Sequence, residues 1–87
     1  MASYRVLIKS SAAGEIEAVD QKKDRQRIVA SIRSLADDPR PSGCEKLAGE
    51  GDRYRIRVGR YRVIYSVGDE ELLVVVVRAG HRKDVYR

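Results

Sequence analysis

The chain has 87 residues, a net charge of +5, 36% charged residues and neither Trp nor Phe, which confines it to one domain (1–87) with a modest core of Val, Ile, Leu and Tyr. Its longest purely apolar run, residues 72–77, is far too short to span a bilayer, and its first residues lack the apolar stretch of a signal peptide. Cys44 is alone, so no internal disulfide forms, and a cytoplasmic protein without a membrane role is expected.

The elements follow in chain order. Residues 4–9 form a first strand, with Val6 and Ile8 on one face. Ser10 or Ser11 caps a helix running to about residue 21, marked by Ala12, Ile16 and Val19 at i, i+4 and i+7. Asp24 caps a second helix to about residue 37, with Ile28, Ile32 and Leu35 at the same spacing, and Pro39 and Pro41 stop it. The short break at Lys22-Lys23 makes the pair an αα-hairpin. Residues 38–52, with two Pro and three Gly, read as a loop. Three strands follow.

The charge is concentrated in those strands. Residues 53–87 carry nine Lys or Arg against four Asp or Glu, whereas residues 1–52 carry nine of each sign. Gly59-Arg60 is a two-residue turn with Gly first, as a type II′ hairpin wants. It pairs Val58 with Tyr61, Arg57 with Arg62, Ile56 with Val63 and Tyr54 with Tyr65. One face is then Tyr54, Ile56, Val58, Tyr61, Val63, Tyr65 and Val67, which suits packing under the helices. The other face receives Arg53, Arg55, Arg57 and Arg62, and two Arg directly opposite each other repel. An anion held between them would give the pairing a reason. The next turn, around residues 68–71, pairs Val67 with Leu72, so Tyr65 faces Val74, Val63 faces Val76 and Arg62 lies beside Val77. The last strand, apolar on both faces, is expected to be central and covered on both sides. His81 and Arg82 then emerge near Arg57 and Arg62, with Tyr86 near enough to fold over them. A cationic sheet face of this kind suits a polyanion such as a nucleic acid. No His/Cys cluster suggests a metal, and no Gly-rich strand-to-helix turn suggests a nucleotide cofactor.

The stretch Tyr54-Arg55-Ile56-Arg57-Val58-Gly59-Arg60-Tyr61-Arg62-Val63-Ile64-Tyr65, followed by Gly80-His81-Arg82-Lys83-Asp84-Val85-Tyr86, resembles the RelE toxins of bacterial toxin–antitoxin pairs, and the resemblance runs the length of the chain. It implies an α+β fold: an N-terminal strand, the αα-hairpin, then a three-stranded antiparallel meander in one sheet with the helices on one face. It also implies a ribosome-dependent endoribonuclease that cuts mRNA in the A site. A cognate antitoxin holds such a toxin inactive, and the complex represses its own operator DNA.

The residues suit that chemistry. RNA is cut without a metal when its own 2′-hydroxyl attacks the adjacent phosphate in line. By resemblance, Arg62 stabilises the transition state, Arg82 assists the leaving 5′-oxygen, Arg55 and Arg57 supply the basic strand positions, and Tyr86 stacks on, or hydrogen-bonds near, the A-site nucleotide. Some family members carry Lys at the positions of Arg55 and Arg57, where one serves as general base; Arg keeps its proton and is a poor base. That leaves His81, the only His, as general acid or base, or as a phosphate contact or strand cap. Two other classes remain: a ParE-like toxin, which shares the fold but inhibits DNA gyrase by binding, and a non-catalytic, antitoxin-bound co-repressor.

Overall fold

The computed structural model describes residues 3–49 and 51–83. The elements are β1 (Arg5–Ile8), α1 (Ser10–Glu17), α2 (Lys22–Ser34), β2 (Glu45–Lys46), β3 (Arg53–Val58), β4 (Tyr61–Gly68) and β5 (Leu73–His81). They make one five-stranded sheet in the order β1-β5-β4-β3-β2, in which β1 runs parallel to β5 and the other neighbours are antiparallel. Both helices pack on one face, as expected. Ala12, Ile16, Ile28, Ile32 and Leu35 from the helical layer meet Tyr54, Ile56, Val63, Tyr65, Val67, Val74 and Val76 from the sheet, all buried. The helical spacing of the first set and the strand alternation of the second aim both stripes at one seam.

The helices are shorter than the sequence suggests. α1 stops at Glu17 rather than near residue 21, and Lys9, not Ser10 or Ser11, holds its N-cap position, with no side-chain cap. The turn tightens through Val19 N–H donating to the Ile16 carbonyl at 3.1 Å. The Arg25 guanidinium then donates to the carbonyls of Val19 and Asp20, at 2.5 and 3.3 Å, so the carbonyls just beyond the helix find a donor. In α2, Gln21 holds the N-cap position and Asp24 lies inside the first turn, where it meets the positive end of the helix dipole instead of capping it. The helix gives way to tightened turns from Leu35 onward. Within the segment read as loop, Glu45 and Lys46 pair with Arg55 and Tyr54 as the short edge strand β2.

The register of β3 on β4 is the expected one at every position, and Gly59 takes φ 60° while Arg60 does not enter positive φ, as a type II′ turn requires. The register of β4 on β5 is not. Val67 pairs with Val74 rather than Leu72, because the turn takes four residues, Asp69 to Leu72, and Leu72 bends through φ 52°. Between Ile64 and Tyr65 a bulge admits Val77 as an extra residue on β5. Tyr65 therefore faces Val76, Val63 faces Ala79, Arg62 faces Gly80 and Tyr61 faces His81. Nor is β5 covered on both sides. It lies inside the sheet, but only Val74, Val76 and Ala79 are buried, whereas Leu73, Val75 and Val77 are half-exposed. Both helices are spent on one face.

At the end of the sheet away from Gly59, a polar clamp closes the domain. Arg40, in the segment after α2, grips both carboxylate oxygens of Asp69 at 3.1 and 2.8 Å and donates to the Tyr54 hydroxyl at 3.0 Å. Its guanidinium lies 5.0 Å over the Tyr54 ring. Tyr4 donates its hydroxyl to the same carboxylate at 2.6 Å, and buried Tyr65 donates to the Pro39 carbonyl at 2.7 Å. The chain before β1, the loop after α2 and the β4–β5 turn are thereby joined. The hydrogen bonds from Arg40 and Tyr4 hold the Asp69 carboxyl at about 2, below its usual 3.8.

A carboxyl whose pKa is depressed on folding contributes stability that is fully present above its unfolded value and is lost as pH falls through its folded value. Asp69→Asn should therefore lower the urea midpoint at pH 7. The gap from wild type should hold down to about pH 4 and close as the pH approaches about 2. A gap unchanged between pH 7 and pH 2 would show that the carboxylate's charge is not what the clamp uses.

Candidate functional site

The unpacked face of the sheet carries the cations. In β3, Arg53, Arg55 and Arg57 alternate with buried Tyr54, Ile56 and Val58. In β4, Arg62 shares their side and is the register partner of Arg57. Ile64, on the same side, is buried although it lies outside the main core. Its register partners are Arg55 and Arg78.

The Arg residues are not equivalent. Arg55 is ion-paired with Glu45, its register partner on β2. Arg57 is exposed. Arg62 is half-buried, and its Nε is fully buried without a hydrogen-bond partner among the described residues. A buried donor left unmatched costs on the order of 1–3 kcal/mol. Its two neighbours across the sheet are Arg57, which repels it, and Gly80, which offers no side chain. The result is a positively charged niche in which Arg62 stands between a second guanidinium and a residue without a side chain.

The other site residues separate into two groups. Arg82 follows the parity of Gly80 and Arg62, is exposed, and is tied by its backbone N–H to the Arg60 carbonyl at 3.0 Å. His81 lies at the same end of the sheet but on the helix side. Its ring meets Tyr61 edge-on, with centroids 5.9 Å apart, and helps line a rim cavity of about 420 Å³ with Glu15, Val19 and Asp20. The expected convergence of His81 on Arg57 and Arg62 is thus a shared edge and not a shared face. His81 Nδ1 accepts from the Lys83 N–H at 3.2 Å. An accepting Nδ1 puts the neutral ring's proton on Nε2, which makes the outward nitrogen a donor. Tyr86 lies outside the described residues.

Two residues of this end escaped the sequence reading. Arg27 of α2 reaches over the hairpin, so that a β-carbon at Gly59 would lie 3.8 Å from its Nη1. A helical Arg carries no sequence mark of such a reach. Glu15 of α1 accepts from the Ala79 N–H at 3.0 Å and from Arg78 Nε at 3.1 Å. In sequence it is one of two acids early in a helix, with nothing to mark a contact with a strand some sixty residues on. Among the described residues no group of three or more His, Cys, Asp or Glu can hold a metal ion, and no helix is long and apolar enough to cross a membrane.

Removing one of two facing like charges relieves their repulsion. Arg57→Thr should raise the thermal midpoint at low salt, by an amount equivalent to about 0.2–1 kcal/mol. Pyrophosphate should stabilise the wild type more than the variant. Equal midpoints with and without pyrophosphate, in both proteins, would show that the pair holds no anion.

The chain has relatives with the same architecture. Residues 6–86 match the family described as ParE toxin of the type II toxin–antitoxin system ParDE. A RelE-like toxin protein of Escherichia coli is 35% identical over 88 residues, covering 95% of this chain and 90% of that protein. The RelE of the Pyrococcus horikoshii RelE–RelB complex superposes with a TM-score of 0.82 at 30% identity, over 94% of this chain and 98% of that one. Isolated Escherichia coli RelE gives 0.78 at 27% identity, over 97% and 92%. With the fold, the basic hairpin and a match over nearly the full length in agreement, the chain belongs to the RelE/ParE superfamily, as a RelE-like toxin of a type II toxin–antitoxin system.

Proposed function

We propose that this toxin is a metal-independent, ribosome-dependent mRNA endoribonuclease that inhibits translation by cutting mRNA in the A site. The observation that carries the reading is Arg62: a half-buried guanidinium set between Arg57 and side-chain-free Gly80 on the sheet face that the helices leave uncovered. A phosphate passing to a phosphorane gains negative charge, and a preorganised donor that lacks a ground-state partner interacts most strongly with that state.

In the proposed reaction the RNA 2′-oxygen bonds to phosphorus and the bond from phosphorus to the 5′-oxygen breaks. The products are a 2′,3′-cyclic phosphate and a free 5′-hydroxyl. Arg62 takes the phosphorane charge, with Arg57 beside it. Arg82 offsets the charge on the leaving 5′-oxygen, which takes its proton from water or a ribosomal group. Arg55, already held by Glu45, serves to fix the strand more than to meet the phosphate. Tyr86 stacks on the substrate base, by family resemblance. Among the described residues the 2′-hydroxyl proton has no acceptor beside Arg62, since Arg does not deprotonate and His81 faces the helix side with Nδ1 engaged. The ribosome therefore supplies the geometry, and the proton passes to a ribosomal group or to water while the electrostatic field of the arginines lowers the barrier to its loss. His81 donates from Nε2 to a phosphate or a base at the rim.

The complexes of Pyrococcus horikoshii and Escherichia coli RelE hold a RelB antitoxin. A cognate antitoxin of that kind is the proposed partner here, with operator DNA bound through the complex, all in the cytoplasm. Two observations favour a second reading, a ParE-like toxin that inhibits gyrase by binding: the family match itself, and the displacement of His81 from the Arg face.

Purified toxin added to a reconstituted translation system and, in parallel, to a gyrase supercoiling assay decides between them. Ribosome-dependent cleavage should appear in wild type and fall at least roughly 10²-fold in Arg62→Ala, the order of loss seen on removing an oxyanion donor. Gyrase inhibition with intact mRNA would install the second reading, and full cleavage by folded Arg62→Ala would overturn the assignment of Arg62. The antitoxin makes a separate prediction. It should be acidic where it meets the last 35 residues, and association should slow as salt rises, because attraction is screened over roughly 8 Å at physiological ionic strength. A salt-independent association rate would place the footprint elsewhere.

A further inference from the structure

β5 outruns its neighbour. β1 ends at Ile8, opposite Val76, and its last bond to β5 is the Lys9 N–H donating to the Val76 carbonyl at 3.0 Å. Beyond that point β5 still has to carry Arg78, Ala79, Gly80 and His81 along β4 with no strand on its other side. The bulge at Val77 lies at this very place, so the segment that follows is also where the register has just changed.

Glu15 stands where β1 would have continued. One carboxylate oxygen accepts from the Ala79 N–H at 3.0 Å and the other from Arg78 Nε at 3.1 Å. Ala79 is only 1% exposed, so without Glu15 its N–H has neither a strand partner on that side nor ready access to water. A single carboxylate thus reads a backbone group and a side chain on consecutive residues, a pair of contacts that one register satisfies and a shifted one does not. A one-residue slip past a bulge turns every following side chain to the opposite face. Here it would set Ala79 or His81 opposite Arg62 in place of Gly80, and would close or repolarise the niche.

We infer that Glu15 is a positioning residue of the cationic site: it locks the register of β5 beyond Val77 and so places Gly80, His81 and Arg82 against Arg62, Tyr61 and Arg60. It touches no substrate and acts through the strand. The inference rests on the RNA-cutting reading for its consequence in activity, but not for its consequence in structure.

The test compares wild type, Glu15→Ala and Glu15→Gln by amide hydrogen exchange of the isolated toxin and by single-turnover mRNA cleavage on programmed ribosomes. In Glu15→Ala the amides of Ala79 and Arg82 should exchange faster while those of Val63 and Val67 stay protected. The cleavage rate at saturating ribosomes should fall by roughly 10²-fold, as for a misplaced site, while the half-saturating ribosome concentration stays nearly constant. Glu15→Gln keeps an acceptor for Ala79 but loses the charge toward Arg78, and should fall between the two in both measurements. If Glu15→Ala does not fold, the intermediate behaviour of Glu15→Gln upholds the lock and wild-type behaviour overturns it. Unchanged exchange at Ala79 and Arg82, or protection lost evenly across β3, β4 and β5, overturns it as well. If wild type itself cuts no mRNA, the RNA-cutting reading fails, and the exchange pattern alone still decides the role of Glu15.

Discussion

A two-residue turn at Gly59 constrains everything built on the far side of the sheet. Gly59 holds φ 60°, which a side chain rarely adopts, and a turn of that length admits one pairing of the strands it joins. That pairing sends Tyr54, Ile56, Val58, Val63, Tyr65 and Val67 under the helices, and the same parity forces Arg57 against Arg62. The core and the charged niche are two faces of one register. A slip that relieved the Arg pair would expose the apolar set, so burial of the core keeps the like charges together. The repulsion is a fraction of a kcal/mol to about one, whereas each large apolar side chain buried adds about 1.5–3 kcal/mol. The packing wins, and the protein retains a strained cationic face without any special device.

The two ends of the sheet divide the labour. Near Asp69, charges of opposite sign meet one another: Arg40, Asp69 and the Tyr4 and Tyr54 hydroxyls close a network that asks nothing of solvent or ligand. Near Gly59, Arg57, Arg60, Arg62 and Arg82 gather, with Arg27 reaching over from α2. Glu15, on the rim beside them, is occupied by Arg78 and the Ala79 N–H. In a protein of net charge +5, this gathering of cations at one end is placed to attract an external anion. An acidic antitoxin and an RNA phosphate would compete for the same field, which is how neutralisation and activity would be coupled in the proposed function.

What the sequence made legible depended on how local the deciding physics was. The β3–β4 register came from a turn whose length and residue type sit in four consecutive positions, and it held at every pair. The β4–β5 register failed because Gly68-Asp69-Glu70-Glu71 offers no length signal, and because nothing in a run of four valines marks which one bulges. The cores of both helices were readable from their spacing, but their ends were not: Arg25 closes the turn after α1, and Asp24 finds the dipole from within the first turn of α2. β2 is two residues long, too short to show a period. Of the site, Arg57 and Arg62 could be paired by arithmetic. The side on which His81 falls could not, since it depends on the bulge.

That bulge changes what kind of catalyst the fold supports. With the uninterrupted register expected from the sequence, Arg62 would have lain beside Val77, an apolar wall. The longer turn and the extra residue put Gly80 there instead and turn His81 to the opposite side, next to Tyr61. Beside Arg62 the niche exchanges an apolar side chain for none, and among the described residues the imidazole stands on the other face. The guanidinium groups described there can bind and polarise a phosphate, but they do not deprotonate a 2′-hydroxyl, and they discriminate little between one backbone and the next. In the proposed function, selectivity would come from whatever presents the RNA in the in-line geometry, and dependence on the ribosome would follow from the strand register: the irregularity that sets Gly80 beside Arg62 also turns His81 to the other face.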